Sequence, residues 1–414
     1  MRTIPALCAL GLALPHIAAA QSTSPTPSPA ATAASPSPSP TATLSAEDAK
    51  LLQEIQAASA PTKAASPASD AGGGGSSSSA LTMSNKFNPA MSVNGLFLGS
   101  YSSVEHPADP EATTTGIGIQ EVELQFVTNV DPYFSANLML SMDKGQGIGV
   151  EEGFIAPTWQ PYGFAFRIGQ LKVPFGRENY QHTHALPFVD KSLVGNAVFG
   201  PEGLNEFGVE ASWLAPLPFY SLVYAAWLNG DNVDQFNGPR GSDFTGFGGL
   251  KELIDLNDDT TLELGGSYAG GVNTENKLSQ VYGSHVILKW RPARHSTTRS
   301  AVLMFEGIYA HHPHDVVAIP TTPESTNLGG GYGYLQWQLA KRWFGAARFD
   351  YLGQPVETAG ITRRGSALIA FAPTEFSALR AQVSETWPAH GAKETYEGFL
   401  QMNFTLGAHP AHAY

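Results

Sequence analysis

The chain has 414 residues, of which 14% are charged and 42% hydrophobic, and its formal net charge is −13. That acidity disfavours nucleic acid as a partner. No stretch beyond the N-terminus reaches the roughly 18 consecutive apolar residues that a membrane helix needs. With 43 Gly, 22 Phe and 14 Tyr, two classes remain, a soluble all-β protein and a transmembrane barrel.

Residues 1–20 read as a secretory signal: Arg2 is the basic region, residues 4–17 are apolar, and Ala18, Ala19 and Ala20 form a small-residue cleavage site before Gln21. The single cysteine, Cys8, lies inside it. The processed chain is therefore expected to have no disulfide, thiolate metal site or cysteine nucleophile. Residues 21–85 are rich in Pro, Ser, Ala and Gly, with GGGGSSSS at 72–79, and read as an extended linker that cannot bury a core. Within it, Ser45 and Asp48 form a capping pair and Leu51, Leu52 and Ile55 a short apolar stripe. This predicts a short helix over 45–58, either a transient turn in a tether or a contact on the periplasmic side.

The texture changes from about Phe87, so the folded domain is expected over 86–414. Val122, Leu124 and Phe126 alternate with Glu121, Glu123 and Gln125, and Leu379, Ala381 and Val383 with Arg380, Gln382 and Ser384. Period two marks strands with one apolar and one polar face. Sixteen such segments follow, near 92–102, 116–127, 134–142, 149–156, 164–172, 205–214, 219–228, 245–253, 260–269, 280–291, 300–310, 330–339, 343–352, 364–372, 376–386 and 395–406. The fourth is ambiguous in phase, because Glu151 and Glu152 are adjacent.

The connections alternate in length. After odd strands they are long and polar, as in NGDNVDQFNGPRGSD and HHPHDVVAIPTTPESTN, and after even strands short, as in APLP, LNDD and AKRW. That asymmetry predicts an all-β fold, a 16-stranded antiparallel transmembrane β-barrel with long loops outside and short turns and both termini in the periplasm. Trp159, Tyr162, Trp213, Phe219, Trp290, Trp343, Phe344 and Phe376 near strand ends would form an interfacial girdle on that rim.

The apolar set must then face lipid, since Lys or Arg on the lipid face at the midplane costs about 2–4 kcal/mol. The inward-phase charges are Glu121, Glu123, Glu206, Glu210, Glu263, Glu306, Asp350 and Glu397 against Arg167, Lys289, Arg348 and Arg380. An acidic wall concentrates cations, so a pore mildly favouring cations is expected, unless the charges pair across strands and merely brace the barrel. Sixteen strands leave an aqueous channel unless something fills it. The one segment expected to narrow it is the loop 173–204 between strands five and six. The candidate constriction set is therefore Arg177, Glu178, Asp190 and Lys191 on the loop and Arg167, Glu121, Glu123, Glu210, Arg348, Asp350 and Arg380 on the wall.

On an extended segment His182 and His184 would point to one side, as two Zn²⁺ ligands with Asp190 or Glu178 completing the shell. The alternative is that they bond the loop to the wall. His311, His312 and His314, and His409 with His412, form two further clusters. No Gly-x-Ser-x-Gly elbow, His-Glu-x-x-His pair or phosphate-cradling glycine loop occurs, so neither an enzyme nor a cofactor is expected.

GQLKVPFGREN at 169–179 resembles the strand-to-loop motif of the phosphate-selective porin O and P superfamily of outer-membrane porins. VPFGREN, HTHALPFVDKSLV and FGPEGLNEFGVEASWLAP, with DDTTLELGGSY, ARFDYLG, PTEFSALR and the tail GAHPAHAY, look like the porin-like group labelled zinc-regulated TonB-dependent outer-membrane receptor. The resemblance covers essentially residues 90–414. It implies a porin-like homotrimer in the cell outer membrane of a Gram-negative bacterium, in contact with outer-membrane lipid. It further implies a loop after strand five folded inward and passive transport of small hydrophilic solutes or ions. Metal binding or uptake through the loop histidines is the alternative it offers. Phosphate selectivity would need a ladder of Arg and Lys at the constriction, against an inward phase that leans acidic. TonB-dependent uptake would need a plug domain and about 22 strands, neither of which the sequence carries.

Overall fold

The structure is a computed structural model that describes residues 89–105, 113–143, 147–312, 327–353 and 360–407. The expected signal segment, linker and 45–58 helix lie outside the described residues, as do His314, His409 and His412.

Sixteen strands form one closed barrel: β1 (Ala90–Ser102), β2 (Gly116–Asn129), β3 (Phe134–Asp143), β4 (Gly147–Pro157), β5 (Phe164–Lys172), β6 (Asn205–Leu214), β7 (Tyr220–Leu228), β8 (Thr245–Asn257), β9 (Thr260–Val272), β10 (Leu278–Trp290), β11 (Ala301–His311), β12 (Asn327–Ala340), β13 (Trp343–Leu352), β14 (Thr362–Thr374), β15 (Ser377–Trp387) and β16 (Thr395–Gly407). Every ladder is antiparallel between sequence neighbours, and β1 closes on β16. These are the sixteen segments that the alternation predicts, with ends moved by a few residues.

The alternation produces an inverted solubility pattern. Phe97, Ile155, Trp227, Phe305, Val383 and Leu400 are exposed on the outside, while Glu121, Glu123, Glu206, Glu263, Asp350 and Gln401 are buried inside. An apolar exterior of this extent is stable only against lipid. Aromatics gather where the short turns lie. Trp159 and Tyr162 are exposed, Phe164 stacks on Trp213 with centroids 5.9 Å apart, and Trp290 meets Trp337 at 5.7 Å. Phe344 departs from the expected girdle: it is buried on the inner face.

Two irregularities decide how the site is built. Between β3 and β4 the register shifts, with Met139 opposite Glu152 and Leu140 opposite Val150. Glu151 is the extra residue of a β-bulge, so Glu151 and Glu152 are both buried, which resolves the ambiguous phase. Between β4 and β5 the ladder spans only Gly153–Ile155 against Ile168–Gln170. There Gly169 has φ +148°, and a Cβ on it would stand 2.0 Å from the Gly153 carbonyl oxygen, so only glycine admits that approach. Residues 147–152 of β4 have no ladder partner on β5, although β5 itself stays paired with β6 as far as Lys172, and the chain turns inward from Val173.

The interior is not uniformly polar. Phe175, Phe188, Val198, Phe199, Phe236 and Phe247 belong to one buried apolar cluster, and Phe175 meets Phe199 edge-on at 4.9 Å. Each such Phe contributes about 1.5–3 kcal/mol by leaving water. The expectation of a single filling segment is also corrected. The β7–β8 connection packs onto the first loop, with Asn232 Nδ2 donating to the Phe199 and Gly203 carbonyls at 3.2 Å each and Gln235 Nε2 to the Val198 carbonyl at 2.8 Å. Glu206 on β6 anchors that second loop by accepting from Gly230 N at 2.7 Å and Asn232 N at 3.3 Å.

Candidate functional site: a loop-narrowed lumen

The loop begins and ends at one clasp. Asn179 Nδ2 donates to the Val173 and Leu204 carbonyls at 2.9 and 3.0 Å, and its Oδ1 accepts from Leu204 N at 2.7 Å. From there the loop reaches wall strands far apart in sequence. Gly176 N donates to Ser267 Oγ of β9 at 3.0 Å and Arg177 N to Glu306 Oε1 of β11 at 2.9 Å. Val189 N donates to Gln382 Oε1 of β15 at 2.8 Å and Leu193 N to Asp350 Oδ1 of β13 at 3.0 Å. In the other direction, Gln120 Nε2 of β2 donates to the Val189 carbonyl at 3.1 Å and Asn403 Nδ2 of β16 to the His184 carbonyl at 3.3 Å. These partners face the lumen, so the loop is laid across it.

A short helix, α1 (Leu193–Phe199), gives the loop its own core. Ser192 is its N-cap, accepting from Gly195 N at 3.1 Å, and Gly200 at φ +75° ends it. Val194, Val198 and Phe199 are its buried face. Glu178 supports the cap from below, accepting from Ser192 N at 2.8 Å and from the Ser192 hydroxyl. Burial pushes the Glu178 carboxyl above the usual range despite those bonds.

Asp190 ties the loop to two arginines of the wall. Its carboxylate accepts from Arg348 Nη2 at 3.0 Å, from Gln382 Nε2 at 2.6 Å, and pairs with Arg364 Nη1 at 2.8 Å. Asp350 accepts from Arg348 Nε at 2.8 Å on the same wall. Arg348 and Arg364 also donate to the Asp190 and Lys191 carbonyls, at 2.8 and 2.6 Å. Burial alone would raise the Asp190 carboxyl, but the two guanidiniums hold it below the usual carboxylate range. Burial, helped by Lys172, lowers the Lys191 ammonium.

Across the lumen lies an acidic cluster on β2 and β4. Glu151 pairs with Lys172 Nζ and with His182 Nδ1 at 2.9 Å, and His182 Nε2 lies 3.7 Å from Glu152. His184 Nδ1 meets Glu123. The two imidazoles are parallel, 5.9 Å apart. Burial would lower the His182 pKa, but its bonds to the Glu151 and Glu152 carboxylates raise it to about 9. The segment Thr183–Ala185 is a 3₁₀ turn, not extended as expected. Nor do Asp190 and Glu178 complete a shell with the histidines, since one is held by arginines and the other by Ser192. The histidines face wall carboxylates instead. His311 and His312 contact Asn327 and Ser279, at 2.6 and 3.0 Å.

The remaining wall charges are mostly paired. Arg167 donates to both oxygens of Glu210 at 2.8 Å and to Glu152 at 3.3 Å. Glu263 has Lys289 at 3.0 Å, Lys251 and His285 at 3.5 Å and Arg177 at 4.0 Å. Arg380 donates to Gln401 Oε1 at 2.6 Å and the Leu186 carbonyl at 2.5 Å. The sequence reading missed Lys172, Lys251, Arg364 and His285 as lumen residues. Lys251 and Arg364 each adjoin a second charge, Glu252 and Arg363, so period two alone did not choose between neighbours, and pairing register would have. On the side of the short turns, a cavity of about 230 Å³ opens beneath the loop, with Arg177, Lys289, Arg291, Arg380, Tyr334 and Leu186 among its lining residues.

No family model matches the chain. A protein of Aquifex aeolicus (strain VF5), described as uncharacterized, is 30% identical over 341 residues, covering 72% of this chain and 70% of that one. Among solved structures, the chain is similar to OprB of Pseudomonas putida, with a TM-score of 0.54 and 10% identity over 80% of this chain and 96% of that one. It is also similar to the anion-selective porin of Comamonas acidovorans, with a TM-score of 0.53 and 8% identity over 77% of this chain and 100% of the porin. At such identity the likeness carries the barrel architecture alone.

Proposed function

We propose, from the premise that the chain belongs to the same family as the Aquifex aeolicus protein, that it is an outer-membrane channel for passive diffusion of small hydrophilic solutes or ions. The observation that carries this reading is the closed barrel with an apolar exterior and a charged, hydrogen-bonding interior, crossed by a loop that is bonded to its walls. A lumen focuses the field of its wall charges. Here carboxylates gather on β2 and β4, around Glu121, Glu123, Glu151 and Glu152, while Lys251, Lys289 and Arg177 surround Glu263 on the β8–β10 side. Much of the expected acidity is neutralised in pairs, so ionic selectivity is weak and dipolar solutes are accommodated. The wall retains more carboxylates than it pairs with cations, so the preference is for cations.

The working assembly is a homotrimer with both termini in the periplasm. In support, Ile148 and Val150 are exposed on the part of β4 that lacks a partner on β5, a face that a neighbouring barrel would cover. Planar-bilayer recording with a salt gradient tests the reading. A stable ohmic conductance with a modest cation-side reversal potential is expected. Absence of conductance would overturn the channel, and an anion-side potential, the property in the Comamonas porin's description, would overturn the cation preference. Native mass spectrometry of the detergent-solubilised protein tests the trimer.

A further inference from the structure

The junction where the loop leaves the wall carries chemistry that a diffusion channel does not require. Glu123 on β2, Glu151 on the β4 bulge and His182 on the loop each offer a ligand atom, and these atoms lie within 4.8 Å of one another. Glu123 and Glu151 are 2% and 4% exposed. Glu151 Oε2 accepts no hydrogen bond. A buried carboxylate oxygen left without a donor is costly, and this one belongs to a cluster of two carboxylates and one imidazole.

We propose that Glu123, Glu151 and His182 form a binding site for a divalent metal ion of borderline softness, of the Zn²⁺ class. Two carboxylate oxygens and one imidazole nitrogen are a donor set that such ions accept, with a fourth position left for water or another carboxylate. The Lys172 ammonium sits on Glu151 Oε1, so Glu151 Oε2 remains available to the ion. His182 ligates as the neutral imidazole, so binding of the ion releases a proton to solvent. The site lies beside the β4–β5 seam, where residues 147–152 of β4 have no ladder partner on β5. A bound ion would join β2, β4 and the loop across that gap. The bulge is what allows this, because in a regular strand Glu151 or Glu152 would point into lipid.

The site does not depend on the chain being a channel, and the test keeps the two apart. Full-length protein, refolded into detergent and stripped with a chelator, is titrated with Zn²⁺ alone by calorimetry, and with Co²⁺ by visible absorption. One ion per chain is expected, with a cobalt spectrum of nitrogen and oxygen ligands and a raised thermal midpoint. Glu123→Gln, Glu151→Gln and His182→Gln should each weaken binding at least about tenfold, and His311→Ala should leave it unchanged. Folding of each variant is checked by its heat-dependent gel mobility. If a variant does not fold, X-ray absorption of the zinc-loaded wild-type protein decides: one imidazole with oxygen ligands supports the site, and a shell of several imidazoles or of water alone overturns it. No binding at millimolar Zn²⁺, or binding that all three variants retain, also overturns it, whatever the bilayer recordings give.

Discussion

Asp190 is the residue whose removal should most specifically release the loop. Asp190→Ala deletes a carboxylate bonded to Arg348, Arg364 and Gln382. A bond to a charged group contributes about 1.5–3 kcal/mol net, but the three are not additive, and neither arginine is left unpaired. Arg348 keeps Asp350 at 2.8 Å and the carbonyl of residue 190 at 2.8 Å, and Arg364 keeps the Lys191 carbonyl at 2.6 Å. The cost of a fully orphaned buried charge therefore does not apply, and the loss comes to about 2 kcal/mol, or about 30-fold in the docking equilibrium. The amides of Val189 and Leu193 report it directly, because both are bonded to wall side chains. Their hydrogen exchange should accelerate about 30-fold while amides in β9 and β10 stay unchanged. Asp190→Asn should fall between the two. If exchange at Val189 and Leu193 rises by less than about threefold, Asp190 does not hold the loop and the reasoning fails.

The same carboxylate sets an acid limit. Its pKa is depressed in the folded state, so its contribution is present above the ordinary Asp value of about 3.9 and is lost as pH falls through the lower folded value. Loop protection measured by exchange should thus persist to about pH 4 and decline below it, and a decline already complete at pH 5 would contradict the assignment. Gly169→Ala should prevent closure of the β4–β5 seam, since its Cβ would meet the Gly153 carbonyl. The expected result is little heat-modifiable barrel on refolding, where Gly248→Ala, with open space around it, refolds normally.

Much of the barrel is legible in the sequence because a lipid-facing wall must alternate. One buried charge on the wrong face costs more than any local propensity gains, so Val122, Leu124 and Phe126 against Glu121 and Glu123 are enough to set the phase of β2. Strand ends and loop lengths follow from the same constraint. What period two cannot carry is an insertion. At Glu151 a single extra residue turns two consecutive carboxylates inward, and only the pairing with Met139 and Leu140 reveals it. Nor does alternation say what an inward residue touches. Glu210, Glu263 and Asp350 look like free lumen charge until their partners are placed opposite them. Phe247 and Met304 look out of place on an inner face until the loops bring Phe175 and Phe199 against it. The histidines show the same gap: their place in the loop was legible, but their partners come from strands that lie dozens of residues upstream.

The loop's bonds also bear on the order in which the molecule can form. Its segment precedes β13–β16 in the chain, yet Leu193 is bonded to a residue 157 positions away, Val189 to one 193 away and His184 to one 219 away. Contacts at such separation form late, after the intervening chain has been brought together. The loop therefore cannot finish docking until the last strands arrive, and the last strands must close around a loop already lying in their path. Closure of β1 on β16 and seating of the loop thus become one cooperative step. A chain shortened before β15 would lose more than two staves of the wall, because Arg380 and Gln382, which receive the middle of the loop, would be missing with them.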